Sequence, residues 1–179
     1  MIKAIAITAA AALGALLIYA ATRPDVFRVQ RSATINAPAD RIYPLVNDLR
    51  AFNTWNPFNK KDPSMKLDYR GPAAGAGAAF DFNGNKDVGR GSIQITDSAA
   101  PSRVAMKLDM IEPFEGHNDI EFTLIPRGNA TEVNWAMHGP SPYIAKLMGI
   151  FFNMDSMIGK DFEAGLSGLK TRAEQRSAT

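Results

Sequence analysis

At 179 residues, 46% hydrophobic and 21% charged, the chain is long enough for one well-buried domain and too short for two. Its net charge of +2 comes from 20 basic and 18 acidic residues scattered along the chain, without the Lys/Arg stripe a phosphate backbone requires, so nucleic acid is not an expected partner. With no cysteine, disulfides, thiolate zinc sites and Cys nucleophiles are excluded.

Residues 4–21 form an uncharged run rich in Ala, Leu and Ile, near the lower end of the roughly 17 to 25 residues that cross a bilayer. A signal peptidase wants small residues at the first and third positions before its cut. Around Ala20 and Ala21 one of those positions falls on Ile18 or Tyr19. The expectation is therefore an uncleaved anchor over residues 1–22, a linker at 23–26, a folded domain at 27–176 and a tail at 177–179. The alternatives are a cleaved signal and an ordinary buried helix. For the anchored form the domain is expected on the outer, periplasmic side of the cytoplasmic membrane. Secretion after cleavage and a cytoplasmic-facing domain, which Arg23, Arg28 and Arg31 would favour by charge counting, are the other placements.

From Phe27 the parity is clean, with Phe27, Val29, Ala33 and Ile35 on one face of a strand. Arg31 falls on that apolar parity. It sits either at an exposed part of the face or reaches inward to a carboxylate or a ligand anion. Pro38 and Asp40 suit the first turn of a helix, and Ile42, Leu45, Val46 and Leu49 give it an apolar stripe. Pro44 predicts a kink or a split into two short helices, closed by Trp55-Asn56-Pro57. Strand-like runs follow at 65–70, 78–83, 89–97, 103–111, 118–125 and 131–138, separated by Gly, Pro and Asn turn signals. Apolar residues from Ile144 through Phe151 and Phe162 to Leu169 recur at helical spacing and predict one long helix over 142–173. Gly149, Gly159, Gly165 and Gly168 weaken that helix, and allow either close approach to strands or a bend.

The fold class that follows is α+β: a seven-stranded curved antiparallel sheet wrapped around a long carboxy-terminal helix, with two short helices after the first strand and an N-terminal apolar helix. Its inward parities are bulky and rich in methionine, a shape-adaptable residue suited to an irregular core or a tolerant pocket. Trp55, Phe80, Phe82, Met106, Met110, Phe122, Trp135, Met137, Met148, Phe151 and Met154 are the apolar candidates for a ligand-binding cavity, with Arg31 and Tyr69 as polar handles.

Catalytic signals are thin. His117 and His138 have no second ligand at metal-binding spacing, and no Ser sits in a nucleophile elbow. Gly75-Ala76-Gly77 precedes a strand rather than a helix, so it reads as a cavity rim or a plain turn. Asp109 and Glu121 fall on outward parities as solvated cross-strand partners. No catalytic residue, metal site or cofactor is expected.

Four segments stand out together: residues 31–38, residues 47–57 with Trp55-Asn56-Pro57, Gly89-Arg90-Gly91, and Asp161-Phe162-Glu163 followed by Gly165-Leu166. As a set they resemble the SRPBCC superfamily, the START-related, pollen-allergen-like helix-grip proteins of polyketide cyclase/dehydrase or lipid-transport type. The resemblance covers about residues 27–173. It implies a hydrophobic pocket between the long helix and the concave sheet. A cyclase would want ionisable groups inside that pocket, and the inward parities offer only Arg31 and Tyr69 besides the indoles, which donate but abstract no proton. The expected function is therefore binding or transport of a lipid-like or polyketide-like small molecule by a membrane-tethered domain. An enzyme of the polyketide cyclase/dehydrase type on a hydrophobic substrate is the alternative, and a protein-interaction module with a filled core is the second.

Overall fold

A computed structural model describes residues 1–175; residue 176, expected in the domain, and the tail expected at 177–179 lie outside the described residues. The chain begins with α1 (Ile2–Ala21), a helix long and apolar enough to cross a membrane and almost wholly exposed. Then come β1 (Val26–Ile35), the short helices α2 (Ala39–Asn47), α3 (Leu49–Phe52) and α4 (Pro57–Lys61), and β2 (Lys66–Arg70) and β3 (Ala79–Asn83). After them run β4 (Arg90–Ala99), β5 (Arg103–Glu112), β6 (Gly116–Arg127) and β7 (Ala130–Pro140), and finally α5 (Tyr143–Phe151) and α6 (Met154–Glu174).

The strands form one antiparallel sheet in the order β1-β7-β6-β5-β4-β3-β2. Pairing β1 with β7 carries the sheet round from the first strand to the last, and an irregularity in β4 at Ile95/Asp97 adds bend. Alternation decides the faces: Val104, Met106, Ile120, Phe122, Leu124, Val133, Trp135 and Met137 are all buried on the concave side. α6 lies across that side, burying Phe162, Leu166 and Leu169.

Two expectations about the helices need correction. Pro44 lies inside α2 without splitting it. The break comes at Asp48, whose carboxylate accepts the N–H groups of Arg50 and Ala51 and starts a new helix, giving three short helices where two were expected. The long helix over 142–173 is in fact two. Phe152 is extended, and the Asn153 side chain accepts the Ser156 N–H to cap α6, with Asp155 in its first turn.

The α6 glycines act by close approach rather than by bending. A Cβ on Gly165 would stand 2.6 Å from the Trp135 ring, and one on Gly168 would stand 3.0 Å from the Trp55 carbonyl oxygen. Gly149, in α5, has open space around it.

Candidate functional site: an apolar cavity under the carboxy-terminal helix

An aromatic cluster fills the middle of the grip. Trp135 stacks on Phe162 of α6 with centroids 4.1 Å apart and rings 9° from parallel. Phe122 lies 4.9 Å from Trp135, while Trp55 meets both rings edge-on. The Trp55 indole N–H is satisfied by the Leu45 carbonyl at 2.7 Å. Trp135 Nε1 is buried with no partner among the described residues.

Beside this cluster is a cavity of about 130 Å³, walled by Phe52 and Phe58 of the short helices, Phe80 and Phe82 of β3, Leu108 and Met110 of β5, Trp135 and Met137 of β7, and Phe162 of α6. Ile93, Ile120, Met65, Val88 and the Asn56 amide complete it, so none of the lining side chains is ionisable. An engineered apolar cavity of about 150 Å³ stays dry and takes up benzene, which sets the scale of what fits without rearrangement. Phe58, Met65, Val88, Leu108 and Met110 are only half-buried and mark the mouth. Strand register places that mouth at one end of the sheet, where β2 begins, β3 and β5 end and β4 begins.

The rim is tied together by Asp62. Its Oδ1 accepts the Ser64 hydroxyl at 2.7 Å and the Ser64 N–H at 3.0 Å; its Oδ2 accepts the Asn85 N–H at 2.7 Å. The residue is buried, and it joins the α4–β2 connection to the loop that carries Val88. The Ser64 hydroxyl, aided by the two N–H groups and opposed by burial, holds this carboxyl below the ordinary aspartate value of about 3.9. A depressed folded value means that the stabilisation is complete above about pH 4 and is lost as pH falls through the lower folded value. Asp62→Asn should therefore lower Tm at neutral pH and weaken the acid-side fall in stability, as read by melts taken between neutral pH and about pH 3.

Of the residues expected at a cavity, Phe80, Phe82, Met110, Trp135 and Met137 stand on its wall. Met106, Phe122 and Trp55 are fully buried core and do not line it. Met148, Phe151 and Met154 need correction: they are exposed and do not line this cavity; Phe151 and Met154 instead border an open groove between α5, the start of α6 and β1.

Arg31 is not in the cavity either. It bridges β1 to α6, with Nη2 3.0 Å from Asp155 Oδ2 and Nε 2.8 Å from Glu163 Oε1. The Arg31 hydrogen bond holds the Asp155 carboxyl below its usual range, and Gly159 leaves room for the guanidinium. Tyr69 lies outside the cavity lining, accepting from Asn53 Nδ2 at 3.0 Å under the Arg50 guanidinium.

Phe52, Asn56, Phe58 and Val88 escaped sequence reasoning. Asn56-Pro57 was legible as a helix start, yet nothing in a linear pattern aims that helix at the sheet. The Gly75–Gly77 segment is a turn at the other end of the sheet from the mouth, not a rim. Asp109 meets His117 at 2.6 Å and Glu121 meets Arg103 at 2.6 Å on the outer face, as solvated cross-strand partners. No cluster of His, Asp or Glu among the described residues is arranged to hold a metal ion.

A curved sheet gripping a helix is the architecture that comparison with known proteins recognises. The family described as "Polyketide cyclase / dehydrase and lipid transport" matches residues 26–174. The chain belongs to this family, within the SRPBCC superfamily. No curated protein sequence matches it at a significant level.

Among solved structures, this family member is similar to a protein of Chromobacterium violaceum, at 15% identity over 86% of this chain and 100% of that one, TM-score 0.60. It is also similar to the Aha1 dimer of Colwellia psychrerythraea, at 20% identity over 83% and 96%, TM-score 0.55. A third is the di-domain ARO/CYC BexL from the BE-7585A biosynthetic pathway, at 16% identity over 98% of this chain and 60% of that one, TM-score 0.62. At these identities the likeness establishes the fold of this polyketide cyclase/dehydrase and lipid-transport family member. Its chemistry rests on its own residues.

Proposed function

We propose that this protein binds or carries a hydrophobic small molecule in the cavity beneath α6, on a domain tethered to a membrane by α1. The observation that carries the reading is the lining: fourteen side chains converge on the space and none of them titrates. Enolisation or dehydration of a polyketide needs a group that takes and returns a proton within hydrogen-bond reach of the substrate. Apolar walls instead favour uptake by desolvation, at roughly 25 cal/mol per Å² of apolar surface removed from water.

The size of the space narrows the ligand. About 130 Å³ accepts a single ring or the end of a chain, and a larger molecule must displace the flexible Met65 and Met110 at the mouth. Trp135 Nε1, buried on a wall residue and unpartnered among the described residues, favours a ligand with one oxygen acceptor beside its apolar body.

Thermal melts with benzene, phenol, cyclohexanone and a medium-chain fatty acid test the reading. A bound probe at 100 times its Kd raises stability by about 2.7 kcal/mol. Phenol and cyclohexanone should exceed benzene, and Trp135→Phe should erase that preference. The cyclase-type alternative draws on the family description and on the likeness to BexL. Turnover of a polyketide-like substrate by the purified protein would favour it.

Tethering is tested separately. The full chain should stay in the membrane fraction through a carbonate wash, because α1 is 20 residues long and about 30 Å at 1.5 Å per residue. Recovery of a soluble product starting near Thr22 would instead show a cleaved signal.

A further inference from the structure

α5 is built inside out. On this nine-residue helix the one buried residue is its only charged one, Lys146, 8% exposed and bound to the Asp25 carboxylate of the linker. Meanwhile Ile144 is 62% and Phe151 67% exposed. In water that arrangement wastes the hydrophobic effect; against hydrocarbon it is what solvation demands.

The surface continues into α1. α5 packs along the carboxy-terminal part of that helix, where Tyr143 Oη donates to the Leu17 carbonyl at 2.9 Å. A 20-residue helix matches a hydrocarbon core of about 30 Å, so its last turns, and whatever packs on them, lie at the level of the lipid headgroups. Tyr19 and Tyr143, both exposed, suit that level, and Arg23 follows at once.

Strand register brings the cavity mouth to the same end of the molecule. β1 starts and β7 ends there, at Val26↔Pro140, next to the linker from α1. β5 ends and β6 begins at that end as well, and the tip between them carries Phe114, 75% exposed. The mouth residues Met110, Val88 and Met65 sit at or beside the same strand ends.

We propose that this end of the domain is seated on a phospholipid bilayer, with α5 and the α5–α6 corner in its apolar boundary, so that the cavity opens onto lipid rather than water. The docking rests on the reading of α1 as a membrane helix. The use of the mouth for ligand uptake rests on the binding function.

The absence of cysteine makes the test direct. Single variants Ile144→Cys, Phe151→Cys and Asn129→Cys of the full chain carry a nitroxide in vesicles of phosphatidylcholine and phosphatidylglycerol. At 144 and 151, relaxation by oxygen should exceed relaxation by a water-soluble nickel chelate. At 129, in the β6–β7 turn at the other end of the sheet, the order should reverse.

Chelate access at 144 and 151 equal to that at 129, in protein that sediments with the vesicles, would overturn the docking while leaving α1 as an anchor. Failure to sediment would overturn both. Neither result depends on ligand binding, which the melts with soluble probes decide separately.

Discussion

Replacing Trp135 with alanine is expected to lower the unfolding free energy by about 3–5 kcal/mol, the range for a large aromatic removed from a core. A residue on a cavity wall would lose less if its faces were already bare. Here they are not: one face is stacked on Phe162 at 4.1 Å, and Phe122 and Trp55 pack against the ring. The void left by the indole joins the existing space of about 130 Å³. The variant should therefore regain part of its lost stability from a two-ring probe such as naphthalene, which the wild type has no room for. Denaturant titration of the full chain in detergent, with and without naphthalene, measures both effects. A loss under about 1 kcal/mol would mean that the stack on Phe162 contributes little.

The second large effect is at Gly165. In an exposed helix, glycine to alanine gains about 1 kcal/mol from propensity alone. The new Cβ would stand 2.6 Å from Trp135 Cζ3 and 3.0 Å from Pro57 Cδ, neither of them the free end of a flexible chain. Overpacking of this kind costs roughly 1–3 kcal/mol, so Gly165→Ala should be net destabilising and should push α6 off the sheet. Gly149→Ala, with open space around it, should be neutral or slightly stabilising. If both substitutions stabilise equally, the close approach of α6 to Trp135 is not a determinant of the fold.

Much of this architecture was legible in the chain because two periodicities carry it. Alternation along β5, β6 and β7 identified the concave face residue by residue, since a one-residue slip would expose Phe122 and Trp135 together. The α5–α6 break was also written in the sequence, at Asn153 with Asp155 two residues on, but a run of apolar spacing from Ile144 onward masked it. Periodicity finds an apolar face without saying what covers it, so Met148, Phe151 and Met154 read as one stripe of cavity lining, although the first two lie on α5, the third on α6, and all are exposed.

The candidate site was less legible than the fold. Arg31 sits on an inward parity, and only three-dimensional placement of Asp155 and Glu163, more than a hundred residues away, shows that its charge is paired at the β1–α6 seam. Phe58 and Val88 reach the mouth from a five-residue helix and a loop, where no repeat exists to read. Asp62, which binds those two segments together, reads in sequence as one more turn residue.

The central claim is that the cavity beneath α6 holds an apolar small molecule. Native mass spectrometry of the full chain, released from host membranes in mild detergent, tests it most directly when wild type is compared with Val88→Trp, which plugs the mouth from the rim. The binding account predicts a small apolar molecule bound to the wild type and absent from Val88→Trp, with both proteins melting cooperatively. A wild type that carries nothing, and that no ring-sized or acyl probe stabilises at saturation, would contradict it.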